Sequence, residues 1–521
     1  MERRLFGGVF HFVERSAALY FLASSAKLPT MRSNPRFLML ASSLTLPLAL
    51  LSCSEKKPTV SDAGKPVTTP SVAVVVPSVA DAGAVAASNA CKKEPGEAYS
   101  LKFFTEERGA MVDVEFDECG NTLVGGSFKK PLSLGGDALV SGGGEDVFLL
   151  RLGPKGNHLW SRAYGGPGKQ KLSAIGIDGK RNIVLAGTMD APIDLNGKVR
   201  APETKGGSNL FLARLNESGA HLYSRVIHDD GAGAVPVAMA VDANGHTTLV
   251  GRFVRRINLG GGPFGTGLGG VFIARYNDYC AHRWSKVVGS AKTPNTVVVR
   301  SVALDSDGNA LVAGSFENEI DFGAEGKPIK IKSAGKNDIF VAKYDPSGEV
   351  LWAKRFGDAD ANFGLQVVAS KGGEFFTVGV NHRKIPGEPP WRVLRVVELS
   401  KLDGSGKVMW KKSFGSGKEG IDDAMLAVSE KEMTLVGTVA DTQKFGSFAV
   451  DVEKGQHEFF RARFDAGEKG SALSVGVLDL GVPNPRAIKY DPNGDVVLAG
   501  SIASKPFPGK GPFGFFLSKL K

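Results

Sequence analysis

The chain has 521 residues, of which 42% are apolar, with 67 Gly, 27 Pro and a formal net charge of +10. This composition excludes a disordered or collagen-like chain, and the length exceeds that of a single ordinary domain. Glycine is almost twice as frequent as in an average protein, so many tight turns must separate short apolar segments. Short apolar segments between turns indicate a protein built from strands.

The N-terminal segment has the pattern of an export signal. Residues 37–52, FLMLASSLTLPLALLS, carry no charge and follow Arg32 and Arg36. Because this run is shorter than the ~20 residues of a membrane-spanning helix, it predicts a signal peptide. Its end, Leu50-Leu51-Ser52-Cys53, resembles the lipobox of bacterial lipoproteins, which implies cleavage before Cys53 and lipidation of that residue. Met31 is an alternative start, since the signal that follows it is complete.

The predicted mature chain is only weakly basic. Removing the signal peptide, residues 1–52, takes away six Lys/Arg and two Asp/Glu and leaves a net charge of +6. This mild charge argues against a dedicated nucleic-acid-binding protein, and we predict no nucleic-acid partner. Residues 53–97 are predicted to be the lipidated Cys and a disordered tether, because residues 54–90 contain four prolines and no aromatic residue.

The remainder, residues 98–521, is built from one repeated unit. The segment Asp305–Phe316, DSDGNALVAGSF, matches Asp117–Phe128, DECGNTLVGGSF, and Asp491–Ile502, DPNGDVVLAGSI. The second glycine of this segment recurs seven times at steps of 58 to 65 residues, at Gly126, Gly187, Gly251, Gly314, Gly379, Gly437 and Gly500. Self-similarity at a nearly fixed period predicts a repeat architecture.

Each copy reads as four antiparallel strands, which we name a, b, c and d. In mid-chain, Asp338–Tyr344 and Val350–Phe356 are apolar runs that flank the turn Asp345-Pro-Ser-Gly348. Asp-x-x-Gly supplies the positive-φ residue that a tight hairpin needs. No stretch shows a sustained 3.6-residue apolar period with helix caps, so helix should be nearly absent.

Seven four-stranded units bury both of their faces when they stack around an axis, so the sequence predicts an all-β, seven-bladed β-propeller of four-stranded antiparallel blades. The pattern resembles the seven-bladed propeller repeat family called SBBP over residues 98–521. The fifth and sixth copies lack the Asp-x-x-Gly-Asn turn around Ser370 and Ser429. The count of seven therefore depends most on these two copies.

The two ends of the repeat region predict how the ring closes. The seventh copy stops at Phe513–Leu520 without a strand d, while Tyr99–Phe104 precedes the first strand a and resembles the strand d segment Tyr223–Ile227. We therefore expect the N-terminal strand to complete the last blade, which removes two open sheet edges.

Export permits disulfides, and the four cysteines are Cys53, Cys91, Cys119 and Cys280. Cys53 is assigned to the lipid. Alternating strand direction places Cys91 and Cys119 at the same rim, so we predict a Cys91–Cys119 disulfide, which would contribute about 3 kcal/mol. The alternative is that these two residues and Cys280 are free thiols. Cys280 has no predicted partner.

Three histidines, His158, His221 and His282, share one repeat position at the start of strand d. Equivalent positions in different blades lie several strand spacings of about 4.8 Å apart, whereas zinc ligands converge within about 2.1 Å of one point. These histidines are therefore predicted to be polar turn residues, and we predict no metal site. The residues provide no catalytic set that can be assembled, and we predict neither catalytic residues nor a cofactor.

The segment Asp345-x-x-Gly348-x-x-x-Trp352 resembles the tryptophan-docking segment of quinone-cofactor propellers. In that family such a Trp packs between blades, so the resemblance implies an architectural role. Trp160, Trp284, Trp352 and Trp410 are accordingly predicted to pack one blade on the next.

Loop length gives the clue to binding. The a–b and c–d turns are tight and share one rim, which we call the short-turn rim, whereas the b–c and d–a connections share the opposite, long-loop rim. Long connections are functional candidates; they are residues 129–145, 190–208, 254–269, 317–337 and 380–391. The cations within them are the candidate binding residues, namely Arg255, Arg256, Lys330, Lys332, His382, Arg383 and Lys384.

The sequence thus predicts an exported β-propeller of the bacterial cell envelope, lipid-anchored to the outer membrane or cell surface. We expect a non-catalytic binding or surface-assembly module whose ligand is an anionic polysaccharide or a protein. The alternatives are a polysaccharide lyase or hydrolase with its site at the central funnel, and a structural envelope protein. An enzyme should gather acids and a His or Tyr at the long-loop rim in several blades.

Overall fold

The computed structural model describes most of the predicted repeat region. The described residues are 97–105, 109–202, 208–229, 233–264, 269–288, 296–323, 327–370, 372–389, 392–415, 420–453, 456–480, 483–503 and 513–521. Within them every regular helix or strand element is a β-strand. The predicted signal peptide, Cys53 and the predicted tether up to residue 96 lie outside the described residues.

The strands follow one another at short, regular intervals. In chain order the first are β1 (Tyr99–Thr105), β2 (Ala110–Phe116), β3 (Thr122–Phe128), β4 (Asp146–Leu152), β5 (His158–Tyr164), β6 (Gln170–Ile177), β7 (Ile183–Met189), β8 (Ile193–Asp194), β9 (Val199–Arg200), β10 (Asn209–Leu215), β11 (His221–Asp229), β12 (Val235–Val241), β13 (Thr247–Phe253), β14 (Ile257–Asn258), β15 (Pro263–Phe264), β16 (Gly270–Tyr276) and β17 (His282–Val288). The others are β18 (Val297–Leu304), β19 (Ala310–Phe316), β20 (Glu319–Asp321), β21 (Lys330–Lys332), β22 (Asp338–Tyr344), β23 (Val350–Phe356), β24 (Ala361–Ala369), β25 (Phe375–Lys384), β26 (Val393–Leu402), β27 (Val408–Phe414), β28 (Ile421–Val428), β29 (Glu432–Val439), β30 (Gln443–Phe445), β31 (Phe448–Val450), β32 (Glu458–Asp465), β33 (Ala472–Val477), β34 (Pro483–Tyr490), β35 (Val496–Ala503) and β36 (Phe513–Leu520).

These strands form seven antiparallel blades, as predicted. From strand a to strand d, blade 1 is β2-β3-β4-β5, blade 2 is β6-β7-β10-β11, blade 3 is β12-β13-β16-β17, blade 4 is β18-β19-β22-β23, blade 5 is β24-β25-β26-β27, blade 6 is β28-β29-β32-β33 and blade 7 is β34-β35-β36-β1. Each strand a contacts the strand a of the next blade, and β34 of blade 7 contacts β2 of blade 1. The seven blades therefore close into a ring.

The predicted closure by the N-terminal strand is confirmed. Strand β1 pairs with β36 without a register shift, from Tyr99 opposite Lys519 to Thr105 opposite Phe513. The hydroxyls of Ser100 and Ser518 lie 2.9 Å apart across this pairing. One blade thus joins the first strand of the ring to the last.

The Asp-x-x-Gly turns form the hairpins that the sequence predicts. In blade 4, the Asp305 carboxylate accepts backbone N–H bonds from Asp307 at 3.1 Å and Asn309 at 2.8 Å, while Gly308 has a φ of 76°. A side chain that holds its own turn in this way explains why Asp begins these hairpins.

An ion pair crosses every blade near the short-turn rim, and its cation is buried in all blades except blade 6. In each blade, the last Arg or Lys of strand c forms an ion pair with an acid at the a–b turn of the same blade. The seven pairs are Arg151–Asp117, Arg214–Asp178, Arg275–Asp242, Lys343–Asp305, Lys401–Glu374, Arg463–Glu432 and Lys519–Asp491. Burial alone would raise the pKa of Asp305, but hydrogen bonds from Asn309 and Lys343 lower it overall. The pairing keeps the Asp305 carboxylate charged inside the protein.

Blades 5 and 6 preserve this ion pair although their turns have lost the aspartate. The acid moves to the start of strand b: Glu374, directly before β25, bonds Lys401 at 2.7 Å, and Glu432, the first residue of β29, bonds Arg463 at 2.6 Å. The longer glutamate side chain reaches the same cation from a shifted position. These two copies are therefore complete members of the ring.

Several strand c cations also link neighbouring blades. Arg214 donates to the carbonyl of Gly245 in blade 3 at 3.0 Å, and Lys401 donates to that of Ala466 in blade 6 at 2.9 Å. Because one cation satisfies groups in two blades, its loss should loosen the contact between blades as well as the turn.

The tryptophans dock one blade on the next, as predicted. The indole N–H of Trp284 donates to the Pro346 carbonyl at 2.9 Å, and that of Trp352 donates to the Gly404 carbonyl at 3.2 Å. A Cβ on Gly348, which has a φ of 92°, would lie 2.7 Å from the Trp284 ring, so this turn position needs glycine for two reasons.

Tyr99 of the closing strand takes the same role in blade 7. It lies opposite Lys519, as Trp352 lies opposite Lys343, and a Cβ on Gly156 of blade 1 would lie 2.8 Å from its ring. The closing strand therefore brings both a ladder of hydrogen bonds and the aromatic that contacts blade 1.

The long b–c connections do not lie loose on the rim. They form small hairpins, β8–β9, β14–β15, β20–β21 and β30–β31, and in blade 1 a bridge between Leu132 and Leu139. Their apolar residues complete the core between a blade and the preceding one: Ile193 and Leu195 belong to the same buried cluster as Tyr164 of blade 1 and Phe211 of blade 2. Most of the length of these connections, which had indicated a functional role, is therefore used to pack one blade on the next.

Candidate functional site

The three repeat-related histidines act within their own strands. Nε2 of each ring lies within hydrogen-bond distance of the serine hydroxyl three residues later, at 3.2 Å for His158–Ser161, 2.8 Å for His221–Ser224 and 3.0 Å for His282–Ser285. Burial and nearby arginines lower the pKa values of His221 and His282, which favours the neutral imidazole. The predicted role as polar turn residues fits this geometry.

The candidate cations of blade 3 are displayed to solvent. Arg255 and Arg256 are exposed and lie between β13 and β14. Ile257, directly after them, is buried and pairs with Asp229 at the end of β11. Because this anchor fixes the backbone beside them, two adjacent guanidinium groups are held at the long-loop rim. Neither forms an ion pair with another described residue.

The candidate cations of blade 4 lie on the hairpin β20–β21. Lys330 and Lys332 are exposed on alternate positions of β21, and the intervening Ile331 packs on the core. Lys330 forms an exposed ion pair with Glu319 at 3.1 Å, and hydrogen bonding to that carboxylate raises its pKa. The structure therefore leaves Lys332 as the freer charge of the two.

The candidate cations of blade 5 lie on the one b–c connection whose strands run on beyond the usual length. Pairing of β25 with β26 continues in register to Lys384 opposite Val393. Arg383 and Lys384 are exposed on this projection, whereas His382 is half-buried with its ring 4.9 Å from that of Phe363. The sequence places these three side by side, but the structure separates the histidine from the two outer cations.

A further charged cluster lies on the innermost strands at the seam between blades 7 and 1. Lys489 of β34 contacts Glu115 and lies 3.6 Å from Asp113, both on β2. Burial raises the pKa of Glu115 against the influence of Lys489. Burial alone would lower the pKa of Lys489, but the two acids raise it overall. The cluster joins the ends of the ring, and sequence reasoning missed it because its partners are separated by most of the chain.

Of the two described cysteines, one is disulfide-bonded and the other is a free thiol. Cys119 is disulfide-bonded, and its predicted partner Cys91 lies outside the described residues, so that pairing stays a prediction. Cys280 is a free, buried thiol at a φ of 59°, in a turn position that is glycine in blades 1, 2, 4, 5 and 6. Burial raises the pKa of its thiol to about 11, which makes it a poor nucleophile.

The described residues contain no group of three or more His, Cys, Asp or Glu side chains placed to hold a metal ion. The same part of the chain has no helical candidate for a membrane span.

Comparison with known proteins gives only distant likenesses. No protein-family model matches the chain, and a search of curated proteins finds no relative. Solved structures that resemble it include the WD40 domain of SCAP from fission yeast, with 7% identity and a TM-score of 0.35 over 81% of this chain and 94% of that one. The NanB sialidase from Streptococcus pneumoniae has 10% identity and a TM-score of 0.37, over 78% of this chain and 67% of that one. At these scores the fold assignment rests on the chain's own blades, and the SBBP resemblance stays a prediction.

Proposed function

We propose that the protein is an exported, lipid-anchored β-propeller that binds an anionic polysaccharide without chemistry of its own. The observation that carries this proposal is a contrast between two classes of cation. The strand c cations are paired in all seven blades and buried in six of them, so they serve the fold. Arg255 and Arg256, in contrast, are held exposed at the long-loop rim and form no ion pair with another described residue.

Exposed arginines fixed on a rigid scaffold suit the recognition of carboxylate groups spaced along a polymer. A guanidinium presents a planar fork that matches a carboxylate, and a polymer engages several such forks at once. The candidate cations belong to three consecutive blades. The cationic surface therefore extends from Arg256 of blade 3 through Lys332 of blade 4 to Lys384 of blade 5. A polymer chain is therefore a better match for this surface than a compact ligand.

The lipid anchor is the second part of the proposal and rests on the lipobox resemblance at Leu50–Cys53. The body of the propeller would then be held near a membrane by residues 53–97. Changing Cys53 to Ser should move the protein from the membrane pellet to the soluble fraction. A Cys53→Ser protein that still pellets with membranes after a high-salt wash would overturn the anchor.

The Arg255→Glu/Arg256→Glu variant tests the binding surface. In the Cys53→Ser background, we expect the unchanged rim to bind polygalacturonate in a salt-sensitive manner, and the charge reversal to weaken binding about tenfold or more. Biolayer interferometry with immobilised polymer measures this, with neutral dextran as the ligand control. A Lys180→Glu/Lys407→Glu variant makes the same charge change at the short-turn rim and should bind as the parent does.

The same assay separates the alternatives. Equal affinity of the rim variant and its control would contradict the binding surface. Shortened polymer products in the reaction mixture would show an enzyme, which contradicts a module without chemistry. Failure to bind polygalacturonate, alginate and hyaluronate would contradict an anionic polysaccharide as the ligand and would leave a protein ligand or a structural role.

A further inference from the structure

A polar cleft lies on the opposite, short-turn rim, between blades 3 and 4. It has a volume of about 540 Å³ and is bounded by the a–b turns of both blades and the c–d turn of blade 4. Asn244, His246 and Arg283 line it from blade 3, and Ser306, Asp307 and Pro346 line it from blade 4. This volume falls within the roughly 300–1,000 Å³ of small-molecule sites.

Two residues that break the repeat meet in this cleft. His246 stands where the corresponding turns of blades 1, 2 and 4 have Asn121, Asn182 and Asn309. Arg283 precedes Trp284 on strand d, and the residue at that position is Leu159, Leu222, Leu351, Met409 or Leu473 in blades 1, 2, 4, 5 and 6. The repeat folds with Asn and Leu or Met at these positions, so packing does not require His and Arg.

The charges of the cleft floor are already balanced. Asp242 bonds Arg275 at 2.9 Å, and Asp305 bonds Lys343 at 2.9 Å. Asp242 also holds Nδ1 of His246 at 3.1 Å, which leaves Nε2 for a ligand. Above this floor, Arg283 and Asp307 are exposed, and Arg283 forms no ion pair with another described residue. The cleft thus presents one unpaired guanidinium beside groups suited to hydroxyls.

We propose that this cleft binds one carboxylate-bearing sugar residue, a hexuronate. The Arg283 fork would take the carboxylate, while Asp307, Asn244 and Ser306 would bond ring hydroxyls. With Asp242 and Asp305 balanced by Arg275 and Lys343, Arg283 and Asp307 are the remaining charges, and a monoanion suits one guanidinium beside one carboxylate better than a phosphate dianion does. The described lining contains no Phe, Tyr or Trp ring on which a nucleobase could stack.

This inference rests on the proposed function for its ligand class, but it uses a separate surface. A terminal or exposed sugar would enter the cleft, whereas the long-loop rim would follow the polymer. Monomer binding therefore reports on the cleft, and polymer binding at the rim reports on the proposed function.

Isothermal titration calorimetry with sodium D-galacturonate and sodium D-glucuronate tests the cleft, in the full chain carrying Cys53→Ser. We expect at least one of them to bind, and D-galactose and D-glucose, which lack the carboxylate, to bind about tenfold more weakly or not at all. Arg283→Leu and His246→Asn restore the residues of the other blades, so both variants should keep the melting temperature of the parent. Arg283→Leu should weaken binding about tenfold, and His246→Asn by a smaller factor.

Lys407→Leu removes one exposed cation from the short-turn rim of blade 5, outside the cleft lining. It is the matched control for Arg283→Leu and should bind the monomer as the parent does. No heat of binding from either uronate, or equal affinity of Arg283→Leu and the parent, overturns the cleft even if polymer binding is intact. Monomer binding that depends on Arg283, together with no polymer binding at the rim, supports the cleft and contradicts the proposed function.

Discussion

Deletion of residues 98–104 is expected to destabilise the propeller more than any other change of similar length. The deletion removes nearly all of β1, and with it the outer strand of blade 7. Tyr99, Leu101 and Phe103 pack on the core shared by blades 7 and 1. Losing the partial burial of these three side chains and the hydrogen bonds of the strand should lower the free energy of unfolding by about 5 kcal/mol or more. The expected product is aggregating or protease-sensitive, because β36 becomes an open edge.

Differential scanning calorimetry and limited proteolysis measure this effect. A deletion of residues 60–66 removes the same number of residues from the predicted tether and should leave the melting temperature unchanged. If the chain without residues 98–104 melts at the temperature of the parent, the N-terminal strand does not hold the ring closed.

Lys519→Met should cause the second largest loss. The side chains of Lys519 and Asp491 are 2% and 0% exposed, and their ion pair lies beside the seam of the ring. Lys519 also donates to the Pro154 carbonyl of blade 1 at 3.4 Å. Removing the cation leaves a buried, unpaired carboxylate, which costs about 3–5 kcal/mol.

A second substitution separates the charge from the packing. Asp491→Asn keeps an oxygen for the backbone N–H groups of Asn493 and Asp495. The double variant Lys519→Met/Asp491→Asn should therefore recover most of the stability in urea denaturation. Lys102→Met, at an exposed position on β1, should change the unfolding free energy by less than about 0.5 kcal/mol. A single variant Lys519→Met as stable as this control would show that the buried pair contributes nothing.

The fold could be predicted because the same local sequence signals recur in successive copies of the repeat. Asp-x-x-Gly marks the a–b hairpins of blades 1, 3, 4 and 7, and apolar runs of seven or eight residues mark the strands between hairpins. The unmatched segments at Tyr99 and Phe513 then fixed how the ring closes. All of these signals are local in the sequence, so they do not depend on a contact between distant residues.

The ring of ion pairs was missed although a sequence signal for it exists. One Arg or Lys stands just before the end of every strand c, as at Arg214 and Lys343. The signal is weak in isolation, because a cation near a turn is usually solvated. Its acid partner lies at the a–b turn, far along the chain from the cation, and changes from Asp to Glu in blades 5 and 6, so local comparison alone does not reveal the pair.

The candidate site could be predicted only in part. Loop length pointed to Arg255 and Arg383, but it could not show that most long connections fold into the gaps between blades. A pattern would have helped, since Ile193-Asp-Leu195, Ile257-Asn-Leu259 and Ile320-Asp-Phe322 repeat an apolar-polar-apolar triplet. The cleft between blades 3 and 4 depends on three turns and a strand meeting in space, which the order of residues does not express.

The central claim is that the chain forms a closed ring in which the first strand of the propeller pairs with the last. The most direct measurement is disulfide formation in the double variant Ser100→Cys/Ser518→Cys, since these hydroxyls lie 2.9 Å apart and the residues are 418 positions apart in the chain. Under mild oxidation, mass spectrometry of a tryptic digest should find the peptides of residues 100 and 518 joined in nearly every molecule. Free thiols at both positions in the folded protein would contradict the closed ring.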